Sequence, residues 1–240
     1  VTALSIVQAV CAAQALPIPQ ALFSATDAQT IEMRSLLNRE LAILKKWPDT
    51  YWRKLMRDHT FTTTATEVQP STSQPADLEY IIPSTSWDRT MSRPVLGPMD
   101  PQTWQAWKAR PILTSVLYGY MLQGNDFYTA PTPPAGDTLA YTYISQYAVY
   151  AAGDTVPTKP YFTADTDTSI FDEVIVELGV TWRFLSQKKL ECDQEKATWA
   201  SLVQTAASRS KGLPVLSAAG PAWSALAGPY TPQFNFPGPA

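Results

Sequence analysis

The spacing of apolar positions changes twice along the 240 residues: helical at the start, alternating in the middle, helical again later. Leu4, Val7, Val10 and Cys11 fall on one helical face behind Thr2, a suitable N-cap, and Pro17 and Pro19 stop the run. A second helix is predicted from Thr26 or Asp27 to about Lys46, with Met33, Leu36, Leu37, Leu41 and Leu44 as its stripe. Pro48-Asp49 ends it and can cap a further turn through Tyr51, Trp52 and Leu55.

From about Asp58 the pattern alternates. Phe61, Thr63 and Ala65 interleave with Thr60, Thr62, Thr64 and Thr66, and threonine suits a half-buried pleated surface. Gln69 to Asp77 reads as a loop, and Leu78–Ile82 and Ser86–Met91 as short strands. The run from Arg89 to Lys108 reads as an extended arm, a Pro/Gly turn and then a short capped helix. Asp100-Pro101 is a strong helix start, and the short helix behind it carries Trp104 and Trp107 on one side. Val116–Leu122 and Phe127–Ala130 flank Gln-Gly-Asn-Asp, a hairpin signal because Gly124 and Asn125 tolerate positive φ. Thr138–Gln146 is a further strand, rich in tyrosine.

Helical spacing returns after Asp165. Asp167 or Thr168 can cap a helix whose stripe is Phe171, Val174, Leu178, Trp182 and Leu185, while Val176, Val180 and Phe184 make a second side apolar. A helix wet on one face does not look like that, so this one is expected to be central or at a subunit contact. A last helix over about Gln194–Ser210 carries Trp199, Leu202, Val203 and Ala206 and ends at Gly212. From Leu213 to Ala240 the chain is rich in Gly, Pro and Ala, has no charged residue, and scatters Trp223, Leu226, Tyr230, Phe234 and Phe236. It has neither period nor a core of its own, which suits an extended arm docking on another subunit; folding back on its own domain is the alternative.

The expected fold class is therefore α+β: an α-helical bundle with an inserted antiparallel β-rich domain and an extended C-terminal arm. The predicted divisions are 1–57 for the N-terminal helices, 58–164 for the inserted β-rich domain, 165–211 for the C-terminal helices and 212–240 for the arm.

Composition sharpens this picture. Charged residues are 16% against 45% hydrophobic, with eight tryptophans and eleven tyrosines, a balance that suits flanks hidden in an oligomer or a large core. The net charge of −3 offers no basic surface for sequence-independent nucleic-acid binding. The densest basic stretch is Lys45, Lys46, Arg53, Lys54 and Arg57, read as a solvated helix end rather than an anion contact. Cys11 and Cys192 show no metal spacing and read as free thiols of a protein made in a reducing cytosol. Leu4 to Leu16 has the apolarity of a secretion signal but no basic residue ahead of it, and Gln8 and Gln14 interrupt it. No apolar run approaches the roughly 18 residues of a membrane span.

Chemistry-bearing motifs are scarce. His59 is the only histidine, and no nucleophile motif, P-loop or dinucleotide fingerprint accompanies it. The acidic group Asp165, Asp167, Asp172, Glu173 and Glu177 is the best metal candidate, but as a calcium loop it puts Ile170 where the turn glycine belongs and Val176 at the closing glutamate. Helix capping accounts for these acids, and no carboxylate pair stands out as acid and base. No catalytic residue, cofactor or metal site is expected. A sugar- or base-stacking role for Trp104 and Trp107 ranks below packing of their helix on the β region.

Two blocks carry a family resemblance. One is Trp87 to Arg110, especially Arg93-Pro-Val-Leu-Gly-Pro98 and Trp104-Gln-Ala-Trp-Lys108; the other runs from Phe162 through Asp172-Glu173 and Trp182-Arg-Phe-Leu185 to Ala206. Lys46-Trp47-Pro48-Asp49, ahead of the Phe61 strand, adds to them. In order and length these segments resemble the adaptor (head-to-tail connector) proteins of tailed bacteriophages, mainly short-tailed ones. The resemblance implies a virion protein, made in the host cytoplasm, that forms a usually dodecameric ring between the portal protein and the tail nozzle or tube. Genomic DNA passes through such a ring without sequence readout, and no membrane is involved. Trp223, Leu226, Tyr230, Phe234 and Phe236 would then belong to a portal-binding arm, and Trp104, Trp107, Phe171, Val174, Leu178 and Trp182 to subunit or core packing. The alternatives are another tail component, such as a nozzle or stopper protein, and a carbohydrate-binding module using Trp104, Trp107 or the tyrosines of 138–146.

Overall fold

The structure, a computed structural model, describes residues 1–48, 50–109 and 117–211. It is mixed α/β, with five α-helices among the described residues and a curled, half-barrel mixed sheet. Trp223, Leu226, Tyr230, Phe234 and Phe236 lie outside the described residues.

Four helices share one core. In α1 (Ala3–Ala13) Thr2 and Ser5 form a reciprocal capping box, and Ile6, Val7, Val10 and Cys11 are buried while Leu4 is only half-buried. Asp27 caps α2 (Ala28–Lys45) by accepting from the Thr30 amide, and the stripe Met33, Leu36, Leu37, Leu41 and Leu44 is buried throughout. Both helices pack against α4 (Glu173–Gln187), as does α5 (Asp193–Lys211) through Trp199, Val203 and Ala207.

The cap of α4 is Asp172, whose side chain accepts from the Val174 amide; Asp167 and Thr168 lie before it. Its buried face is Ile175, Val176, Val180 and Phe184. Phe171, Leu178 and Trp182 flank this core half-buried, and Val174 is 52% exposed. Three neighbouring helices decide which of the two apolar sides goes inside, a choice that spacing within one helix does not contain.

The sheet runs β1 (Met56–Thr62), β7 (Thr138–Ser145), β3 (Trp87–Asp88), β4 (Arg93–Leu96), β5 (Tyr118–Gln123), β6 (Asp126–Ala130) in spatial order. β2 (Leu78–Ile81) shares with β3 the edge of β7 that faces away from β1. All pairings are antiparallel except β4 with β5, where Val95 meets Tyr118 and Leu96 meets Gly119 in parallel. This corrects the expectation of an antiparallel β region: the segment read as an arm contains a strand, Arg93–Leu96, and the helix α3 (Pro101–Lys108) lies in the crossover a parallel pair requires. The predicted strand Ser86–Met91 shrinks to Trp87–Asp88. The β5–β6 hairpin turns at Gly124, with φ of 61°, and the backbone of Glu67 and Gln69 pairs with the free edge of β6. That last pairing curls the sheet toward closure around a core of Phe61, Val95, Tyr120, Phe127, Leu139 and Tyr141.

Residues 146–172 belong to the helical half. Ala148, Val149, Phe162 and Ile170 join its core, together with Ile82 and Ile144 at the sheet's near end. A two-stranded ribbon, β8 (Val149–Tyr150) with β9 (Thr168–Ser169), tethers this segment to the N-terminus through the Ala3 amide, which donates to Asp167 O at 2.8 Å.

Candidate functional site

Several of the titratable groups singled out in the sequence are occupied with folding. His59 Nε2 sits 2.8 Å from Thr72 O with its ring against Tyr141. Asp165 accepts from the Leu22 and Phe23 amides. Asp167, wholly buried, takes Lys159 Nζ at 2.8 Å and the Thr163 and Ala164 amides. Burial pushes its carboxyl up, but the lysine and the two amides outweigh that and hold it below the ordinary value of 3.8. Among the described residues no group of His, Cys, Asp and Glu is arranged to hold a metal ion.

The basic stretch does a different job from the one its composition suggests. Lys45 Nζ donates to Gln146 O and Pro160 O, Lys54 Nζ to Ile170 O, and Arg57 to Pro157 O. These cations staple the 146–172 segment by its carbonyls. Nothing short of the tertiary structure identifies carbonyls as their partners.

A buried charge cluster escaped the sequence reading altogether. Glu40, fully buried on α2, accepts from Arg183 Nε of α4 at 2.7 Å and from Trp199 Nε1 of α5 at 2.7 Å. The Arg183 guanidinium lies 4.2 Å from the Trp182 ring centroid and 5.3 Å from that of Trp199. Burial raises the Glu40 carboxyl, partly offset by Arg183 and Trp199. Gly179 leaves room for this carboxyl, since a Cβ there would overlap it. With both carboxylate oxygens taken and the arginine stacked, the cluster locks three helices and leaves nothing for a substrate. The available signal was a glutamate one residue before Leu41 in an apolar stripe.

Two surface hollows present exposed aromatic rings. Trp47, Thr50, Tyr51 and Tyr80 line a hollow of about 310 Å³ where the helical half meets the sheet, with Tyr51 and Tyr80 exposed and their ring centroids 6.3 Å apart. A second hollow, about 470 Å³, opens on the sheet's outer face. Its wall is Trp87, 48% exposed, beside Asp58, Arg89, Ser92 and Thr142. Buried Asp88 shapes its edge by accepting from the Thr90 and Met91 amides and from Arg93 Nε.

The residues named for stacking on a sugar or base are elsewhere. Trp104 is buried against Met121 and Ala130, and half-buried Trp107 donates its Nε1 to Ala130 O at 2.9 Å. Tyr141 and Tyr143 point into the sheet's core; burial pushes both phenols far above their ordinary value. The apolar stripe that puts Trp104 and Trp107 on one side of α3 packs onto β5 and β6, which buries Trp104 and half-covers Trp107.

Among the described residues no helix is long and apolar enough to cross a membrane. No protein-family model matches the chain, and no curated protein matches its sequence.

Proposed function

We propose that this chain is a structural adaptor of a tailed bacteriophage and not an enzyme. In this reading copies assemble as a ring, dodecameric as in the family it resembles, joining the portal protein to the tail nozzle or tube. The ring lets genomic DNA pass without sequence readout. The finer architecture goes with it: an α-helical bundle interrupted by the β-rich insertion, with the stretch beyond Lys211 as an extended arm to the portal.

The observation that supports this reading most is the division of labour along the chain. Both flanks of the β region contribute to one helical core, α1 and α2 from one side, α4 and α5 from the other, while the sheet keeps an aromatic core of its own. That is the insertion arrangement the resemblance implies. Half-covered Leu178 and Trp182 with exposed Val174 supply an apolar flank suited to a neighbouring subunit. The net charge of −3 suits a channel that must release DNA. Burial of Trp223, Leu226, Tyr230, Phe234 and Phe236 on the portal would contribute roughly 25 cal/mol per Å² of apolar area, less the cost of ordering the arm.

The test is removal of residues 213–240, followed by binding to the portal protein of the phage that encodes the chain. The truncated protein is expected to stay folded and lose the portal. Unchanged binding contradicts the reading, and co-migration of the intact chain with isolated tails but not portals moves it to a nozzle or stopper role.

The Trp87 hollow supports a second reading, a saccharide-binding surface on the β region. An exposed indole flanked by Asp58, Arg89 and the Thr142 hydroxyl is the chemistry that stacks a sugar ring and bonds its hydroxyls. Glycan-array binding that disappears in Trp87→Ala would support it, and an array without signal would remove it.

A further inference from the structure

A cleft of about 410 Å³ opens between the last turns of α5, the 3-10 turn Arg53–Leu55 and the start of α4. Its floor is apolar: Trp52, Phe171, Ile175 and Ala206. The floor is also rigid, because Trp52 Nε1 donates to Leu44 O at 2.7 Å and its ring meets Phe171 edge-on at 5.2 Å. Arg53 and Arg209 stand at the rim, and among the described residues neither guanidinium pairs with a carboxylate. Ser210 clamps the end of α5 beside the cleft, accepting from the Arg53 amide at 2.9 Å and donating to Tyr51 O at 3.1 Å.

The chain leaves α5 at this rim. Immediately after Lys211 come Gly212 and the apolar run Leu213-Pro214-Val215-Leu216. Glycine past a helix end commonly turns the chain, and the residue after it commonly returns an apolar side chain onto the last helical turn. At about 3.3–3.6 Å per residue, Leu213 to Leu216 reach no further than roughly 20 Å from Ser210. Pro214 lacks an N–H, so this run offers carbonyls in excess of donors, which suits the guanidinia of Arg53 and Arg209 at the rim. Tethering over so few residues gives an effective concentration of order millimolar, which favours the same chain over a second copy.

We propose that Leu213-Pro214-Val215-Leu216 of the same chain fills this cleft, anchoring the C-terminal segment at its root. The part from Ser217 onward, with Trp223, Leu226, Tyr230, Phe234 and Phe236, is then what reaches a partner. The inference concerns the anchor alone and stands whether or not the far end meets a portal.

Two truncations and one double variant of the full chain test it by thermal unfolding. Removal of residues 217–240 is expected to leave the midpoint unchanged. Removal of 213–240, and L213D/L216D in the full chain, are each expected to lower it by roughly 4 °C or more, with no dependence on protein concentration. Identical midpoints for both truncations overturn the proposal. A difference between the full chain and its variants that shrinks on dilution also overturns it, because a second copy would then be the occupant. Portal binding is scored separately, so a stable anchor with no portal affinity refutes only the adaptor reading.

Discussion

The two cores are built from different materials. The helical half joins chain ends far apart in sequence and hangs them on a buried charge, Glu40, held by Arg183 and Trp199. The sheet, whose β1 and β7 also pair residues far apart in sequence, packs over uncharged rings: Tyr120 stacks on Phe127 at 4.8 Å, and Phe127 lies near-parallel to Tyr141 at 6.0 Å. A buried ion pair is a poor source of net stability but severe when broken, so it specifies how helices meet rather than holding them cheaply. Stacked rings bring apolar area and tolerate small shifts. The comparison teaches that the helical half is the more exacting assembly, and the sheet the more forgiving one.

The largest expected effects set the cores against each other. Glu40→Ala strands the Arg183 charge and should cost about 3–5 kcal/mol, read first in the far-UV helix signal on urea unfolding. Phe127→Ala should cost about as much by opening a cavity in the ring stack, read first in faster hydrogen exchange of the sheet's amides. If each variant shifts both signals equally, the cores are one cooperative unit and the comparison breaks. Gly179→Ala is a smaller and sharper probe. The added methyl collides with the Glu40 carboxyl and should cost about 1–3 kcal/mol, with the hydrogen exchange of the sheet's amides unchanged.

The smallest effect is a pH term in the helical half. The Asp167 carboxyl is held below 3.8 in the folded protein, so its contribution is complete above that value and fades as pH falls through the lower folded value. Asp167→Asn should therefore lower stability at neutral pH and flatten the decline below about pH 4, measured by urea midpoints across the acid range. An unchanged acid limb would mean that Lys159 and the two amides contribute no net stabilisation of the charged form.

Much of the architecture was legible in the residues. The α2 stripe, the Asp27 and Asp100 caps, the turn at Gly124 and the strand over Thr138–Ser145 all follow from local spacing and capping chemistry. What escaped was non-local. Arg93–Leu96 carries a proline and looks like a linker, and only its parallel partner β5 makes it a strand. Asp165, Asp167, Thr168 and Asp172 are all cap-forming types; Asp167 and Asp165 are consumed by the loop and the N-terminal segment, which leaves Asp172 for α4. Helical spacing puts Trp104 and Trp107 on one side of α3, but which side is wet depends on β5 and β6. Exposed Trp87 sat within a predicted strand, where alternation alone does not tell an inner face from an outer one.

The central claim is assembly, and native mass spectrometry of the full chain, alone and with the portal protein encoded beside it, tests it most directly. The account predicts a ring, or a complex carrying several copies of this chain per portal ring. A monomer that ignores the portal would contradict it.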